Sequence, residues 1–152
     1  MEQKKVIPKI KVKVTMTKVE PGQLYKIGSS KDAFICFTEV FNKDTFLFAE
    51  EMQLLCLSQA NEVIGAYRVG AGGKTGTVAD LRNIFTVALN SNACNIIIAH
   101  NHPSGNLKAS EADIKLTKQI KESGNFLTIN LVDSLILGSF EKYYSFADEG
   151  IF

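Results

Sequence analysis

Residues 95–102 read NIIIAHNH, and the chain continues through residue 113 as PSGNLKASEAD. Ile96, Ile97, Ile98 and Ala99 form a short, mostly β-branched run that is apolar at both alternate positions. Such a run fits a central strand covered on both faces, because a strand with one wet face would alternate. Pro103-Ser104-Gly105 then breaks the chain. Ser110-Glu111-Ala112-Asp113 has the form of a helix start, with Ser110 as N-cap and an acid three residues later. The helix is expected to run to Ser123, with Ile114, Leu116 and Ile120 on its apolar side and Gly124 as its stop. A buried strand that runs through a broken loop into an amphipathic helix makes the fold class α/β.

The same reading extends outward. ADLRNIFTVALN, residues 79–90, places Leu81, Ile84, Phe85, Ala88 and Leu89 at steps of three and four, an amphipathic helix. EEMQLLCL at 50–57 and VIGAYRV at 63–69 read as strands joined by a turn at Asn61-Glu62. A further helix is expected over 31–42, N-capped by Ser30. Strands are expected near 126–132 and 134–138, with Asp133 forming the turn between them and YYSFADEGIF as a closing segment. KIKVKVTMTKV, residues 9–19, alternates polar and apolar residues and predicts an edge strand with a lysine-rich wet face. GAGGKTGT, residues 70–77, lacks the ending of a phosphate-binding loop and reads as a flexible connection. Residues 1–45 form an N-terminal strand-and-helix extension on this reading, and residues 46–152 the main domain. The extension is a candidate to cover a sheet edge or to support a homodimer.

The chain's two histidines, His100 and His102, both lie at the exit of the buried strand. On extended backbone, residues two apart point to one side, so both imidazoles can reach one metal ion. Asp113 follows eleven residues later at a helix mouth, after a turn that can bring its carboxylate back. Two nitrogens and one oxygen, with a fourth position left to water, is the ligand pattern of a catalytic zinc site. An HExxH helix and the PCxxC half of a deaminase site are both absent from the sequence.

HNHPSG followed by SEAD resembles the H-x-H-x₇-S-x₂-D signature of the JAMM (MPN+) metalloprotease family. The wording AHNHPSG resembles its RadC branch, bacterial JAB-domain proteins once linked to DNA repair. The resemblance covers roughly residues 46–152. It implies a three-layer JAB/MPN fold, related to cytidine deaminases, with a mixed curved sheet flanked by helices. It also implies a zinc-dependent peptidase or isopeptidase, with His100, His102 and Asp113 as zinc ligands and Ser110 as the donor to the oxyanion. A glutamate of an earlier strand serves as general base, and alignment on LLCLSQAN places it at Glu50. Period two supports Glu50 over Glu51, since it groups Glu50 with Met52, Leu54 and Cys56 and so predicts that Glu50 lies against the core. The chain departs from RadC relatives at Val132-Asp133-Ser134, where they carry Asp-His; this puts in doubt any role given to that histidine. Asp133 remains a candidate to hydrogen-bond a ligand from behind.

Composition sets the outer bounds. The 152 residues carry 17 basic and 16 acidic side chains, a net charge of +1, which gives no electrostatic support for nucleic-acid or membrane binding. Cys36, Cys56 and Cys94 stand far apart in apolar settings and read as reduced thiols of a cytoplasmic protein. The N-terminus has no apolar core of a signal peptide, and no apolar run approaches the roughly 20 residues of a membrane helix. The expected partner is a peptide or protein substrate. Two rival readings are a metal-bearing binding module with little or no hydrolytic activity and a DNA-associated factor.

Overall fold

A computed structural model describes residues 6–20, 22–72 and 79–151. The run NIIIAHN becomes β3 (Asn95–Asn101), the central strand of a five-stranded sheet. Its neighbours are β1 (Glu51–Leu57), paired antiparallel, and β4 (Asn130–Leu137), paired parallel. β2 (Val63–Ala71) lies outside β1, and the short β5 (Tyr143–Ser145) outside β4. The sheet is therefore mixed, in the order β2-β1-β3-β4-β5.

Helices cover both faces. On one, α1 (Ser30–Val40) sets Phe34 and Phe37 against Leu55, Leu57, Ile97, Ala99, Leu135 and Leu137. On the other, α2 (Leu81–Asn90) and α3 (Glu111–Phe126) set Ile84, Phe85 and Ile120 against Met52, Leu54, Ile96 and Ile98. Ile96, Ile97 and Ile98 are thus all buried, alternately on the two faces. Burying each contributes roughly 1.5–3 kcal/mol, which is why the central strand admits no polar residue between Asn95 and His100. The parallel pair β3–β4 is joined by α3, so the N-terminus of α3 lies near the carboxyl end of β3. That end of a parallel strand is where α/β folds hold ligands.

Several expectations change. Residues 9–19 form no strand: the described segment 6–20 is exposed and unpaired with any strand. A period-two pattern gains stability only when a partner edge accepts its hydrogen bonds, and among the described residues β2 pairs with β1 alone, the isolated Lys26–Glu62 bridge lying just before it. The cap of α1 is Ser29, whose hydroxyl accepts the Asp32 N–H, and not Ser30. Gly124 does not end α3, which continues to Phe126. This glycine is a close approach, since a Cβ there would collide with the Ile129 carbonyl oxygen. Asp133 does not turn the chain either. β4 is continuous through it, with a register shift between its pairings to Ile96 and Ile97. Of the glycine-rich stretch 70–77, Gly70 and Ala71 complete β2, and residues 73–78 lie outside the described residues. The three cysteines are free thiols, and no described helix is long and apolar enough to cross a membrane.

Candidate metal centre

His100 is the last side chain of β3 on the α3 face, and it is buried. His102 follows just beyond the strand, where its backbone N–H still donates to the Leu137 carbonyl of β4 at 2.9 Å. This bond prolongs the parallel pairing by one residue and keeps both imidazoles on one side. Gly105, at φ +77°, completes the turn by donating its N–H to the His102 carbonyl at 2.9 Å. Gly138, after β4, leaves room for it: a Cβ there would stand 2.7 Å from the Gly105 oxygen.

Asp113 enters from the first turn of α3. Ser110 is the N-cap. Its hydroxyl accepts the Asp113 N–H at 3.1 Å, and its own N–H donates to Asp113 Oδ2 at 2.8 Å, a reciprocal capping box. Aspartate is shorter than the usual glutamate at this position. It still closes the box while its other oxygen points at His100.

The three groups converge. His100 Nε2 lies 3.1 Å from His102 Nε2 and 3.2 Å from Asp113 Oδ1, and His102 Nε2 lies 3.7 Å from Asp113 Oδ2. Ligands about 2.0–2.1 Å from a tetrahedral zinc stand roughly 3.4 Å from one another, so the two separations from His100 Nε2 match edges of such a site. They form a group that could hold a metal ion. His102 Nδ1 lies 2.6 Å from the Asn106 carbonyl. A carbonyl only accepts, so Nδ1 carries the proton, and a neutral His102 presents a lone pair at Nε2. Burial pushes the Asp113 carboxyl up, but the hydrogen bond and charge of His100 and the Ser110 cap outweigh it and hold the group well below the usual carboxylate range. The carboxylate therefore stays ionised and ready to bind a cation.

Glu50 lies one residue before β1, half-buried, with its carbonyl accepting the Gly72 N–H at 2.9 Å. Met52 is the cross-strand partner of His100, and Met52, Leu54 and Cys56 share one core cluster. Extended two residues back from Met52, the alternation of β1 would set Glu50 on the face that carries His100. Burial does not single it out as expected, because every residue of β1 is buried and Glu51 more deeply than Glu50. Glu51 belongs to the other set, where it accepts a hydrogen bond from the Gln53 amide and pairs with Arg68 at 3.0 Å. Asp133 does not back the histidines. Its oxygens accept the Ser134 N–H (2.7 Å), the Ala147 N–H (3.0 Å) and the Ser145 hydroxyl (2.6 Å). Ser134, where histidine was expected from the resemblance, is fully buried and accepts the Thr117 hydroxyl at 3.2 Å.

Two residues of this region carried no signal that sequence reading used. Asn106 contributes a backbone carbonyl, which no residue type announces. Asn101 is fully buried between the two histidines. An amide at the end of an otherwise apolar strand is the signal that could have drawn attention to it, since a buried amide requires partners.

The family described as RadC-like JAB domain matches residues 27–151. A UPF0758 protein of Flavobacterium johnsoniae is 43% identical over 130 residues, covering 86% of this chain and 55% of that protein. One from Porphyromonas gingivalis is 43% identical over 107 residues, 70% of this chain and 47% of that protein. One from Clostridium beijerinckii is 37% identical over 126 residues, 83% of this chain and 53% of that protein. The chain spans about half the length of these curated relatives.

Proposed function

The chain belongs to the RadC-like JAB domain family, and on that premise we propose that it is a zinc-dependent hydrolase acting on a peptide or isopeptide bond. The observation that carries the proposal is the convergence of His100, His102 and Asp113 at separations of 3.1–3.7 Å. These three residues would hold the zinc. When bound, zinc supplies the charge that makes a water acidic near neutral pH.

The remaining work falls to this chain's own groups. Glu50, on the His100 face, takes a proton from the attacking water and returns it to the leaving amine. Ser110 stabilises the carbonyl oxygen as it gains charge. As a cap, its oxygen accepts the Asp113 N–H, so the hydroxyl hydrogen is the part directed to an oxyanion. The His102 Nδ1–H bond to the Asn106 carbonyl keeps that ring from turning its other nitrogen toward the cation.

The test begins with metal analysis. The purified protein is expected to carry one zinc per chain, and His102→Ala to carry much less. Equal zinc in both would refute the ligand set. Peptide-library cleavage then separates enzyme from binding module: Glu50→Gln should keep its zinc and lose turnover.

A further inference from the structure

We infer that Asn101 is a positioning residue that fixes Glu50 relative to His100 and His102. This deepens the proposed function and rests on its assignment of Glu50 as the base. The side chain of Asn101 turns to the α1 face of the sheet, away from the histidines that flank it, and meets the segment that leads into β1. Its Oδ1 accepts the Glu51 N–H at 2.7 Å. Its Nδ2 donates to the carbonyls of Phe46 at 2.7 Å and Ala49 at 2.9 Å. Both amide hydrogens and the oxygen are therefore in use. The orientation is forced, because a flipped amide would set its NH₂ against an N–H and its oxygen against two carbonyls.

Two of the three partners, Ala49 and Glu51, bracket Glu50. The third, Phe46, is buried in the core with Phe41. On the far side, the Glu50 carbonyl accepts the Gly72 N–H. The backbone at Glu50 is thus held on one side by Gly72, just past β2. On the other it is held by a side chain that grows from the strand between the two histidines. Glu50 precedes β1, so ladder hydrogen bonds do not do this work; one amide replaces them. Asparagine suits the role because it donates twice and accepts once over a short reach. Aspartate would set a carboxylate against two carbonyl oxygens, and alanine would leave an N–H and two carbonyls without partners.

Displacing a catalytic group by about 1 Å can cost on the order of 100-fold in rate. The full chain loaded with zinc is compared with Asn101→Ala, Glu50→Gln and the double variant. The measurements are zinc stoichiometry, kcat and KM on a fluorogenic peptide chosen by library cleavage, and crystal structures. Asn101→Ala should keep its zinc and lose roughly 10–100-fold in kcat, with KM changed by less than about threefold. In the Glu50→Gln background it should cost nothing more, because it acts through Glu50. The Asn101→Ala crystal should show Glu50 shifted while His100, His102 and Asp113 superimpose on the parent. Should Asn101→Ala not fold, the milder Asn101→Ser carries the same expectations.

Parent-like kcat in Asn101→Ala beside an inactive Glu50→Gln would overturn the inference alone. Zinc loss in Asn101→Ala would also overturn it, since the amide would then serve the ligands. Full turnover in Glu50→Gln would sink the assignment of Glu50 as the base, and the inference with it. If the parent cleaves no peptide, the crystallographic comparison decides whether Asn101 holds Glu50, and an unmoved Glu50 overturns the inference.

Discussion

Asp113 and Asp133 are both aspartates that accept backbone N–H bonds beside the central sheet, and they have opposite electrostatic fates. Asp113 is held well below the usual carboxylate range by His100 and the Ser110 cap, against the effect of burial. Asp133 is pushed up by burial, which outweighs the hydrogen bonds it accepts from Ser145, Ala147 and Ser134. The difference lies in what faces each group. Asp113 commits Oδ2 to its own helix and turns Oδ1 to an imidazole. Asp133 commits both oxygens to its own chain, tying β4 to β5 and to the tail that follows. One carboxylate is equipped to hold a cation, and the other closes the fold.

The sharpest way to break this contrast is to remove each carboxylate in turn. Asp133→Ala should be the more damaging to stability, by roughly 3 kcal/mol, because two N–H groups and a hydroxyl lose a buried acceptor. Chemical denaturation would measure it, and the zinc stoichiometry of the folded protein should be unchanged. Asp113→Ala should show the reverse. Zinc affinity, read by competition with a chromophoric chelator, should fall more than about 100-fold, beyond the usual effect of altering a residue behind a ligand. The metal-free protein should lose only about 1 kcal/mol, the worth of a helix cap. If the two variants behaved alike, the division of labour would be wrong.

Gly138→Ala tests the site from behind. Its Cβ would press on the Gly105 oxygen and on Leu107 Cδ2, at 2.7 and 2.8 Å. The loop must yield, and it carries the Asn106 carbonyl that orients His102. A loss of roughly 1–3 kcal/mol in stability is expected, the typical cost of overpacking. Zinc affinity should fall about tenfold, the effect of a disturbed ligand support. Unchanged affinity would mean that His102 does not depend on this loop.

What could be read from the sequence follows from how local each cause is. β3, α2 and α3 were legible because burial on one or both faces writes a period into the residues themselves. The three convergent donors were legible because the strand exit and the helix mouth lie eleven residues apart. Apart from the α1 cap, the failures turn on partners outside the element in which each residue lies. Residues 9–19 carry a strand's alternation, but no edge accepts it. Gly124 looks like a stop, yet it answers to the Ile129 carbonyl that packs on it. Asp133 looks like a turn former, yet its partners lie at 145 and 147. In β1 both faces are buried, so alternation could not rank the burial of Glu50 and Glu51. Asn101 gives no local signal of its partners, because Phe46, Ala49 and Glu51 are about 50 residues away.

Acid gives the finest test of the two aspartates, in metal-free protein. A group whose folded pKa is raised contributes stability that is present below its unfolded value and lost as pH rises through the folded value; Asp133 is such a group. A group whose folded pKa is lowered contributes stability that is present above its unfolded value, about 3.9, and lost as pH falls toward the folded value; Asp113 is such a group. Lowering the pH from neutral toward about 4 should therefore shift the stability difference between parent and Asp133→Asn in favour of the parent. The asparagine cannot take up the proton that relieves the buried charge. Over the same range the difference between parent and Asp113→Asn should gain nothing for the parent from that carboxyl, and below it the parent should lose ground. Urea midpoints of the three proteins at matched pH values would show the first difference growing between neutral pH and about 4 and the second shrinking below that. If both moved together, the environments of the two carboxylates would not differ in the way their contacts require.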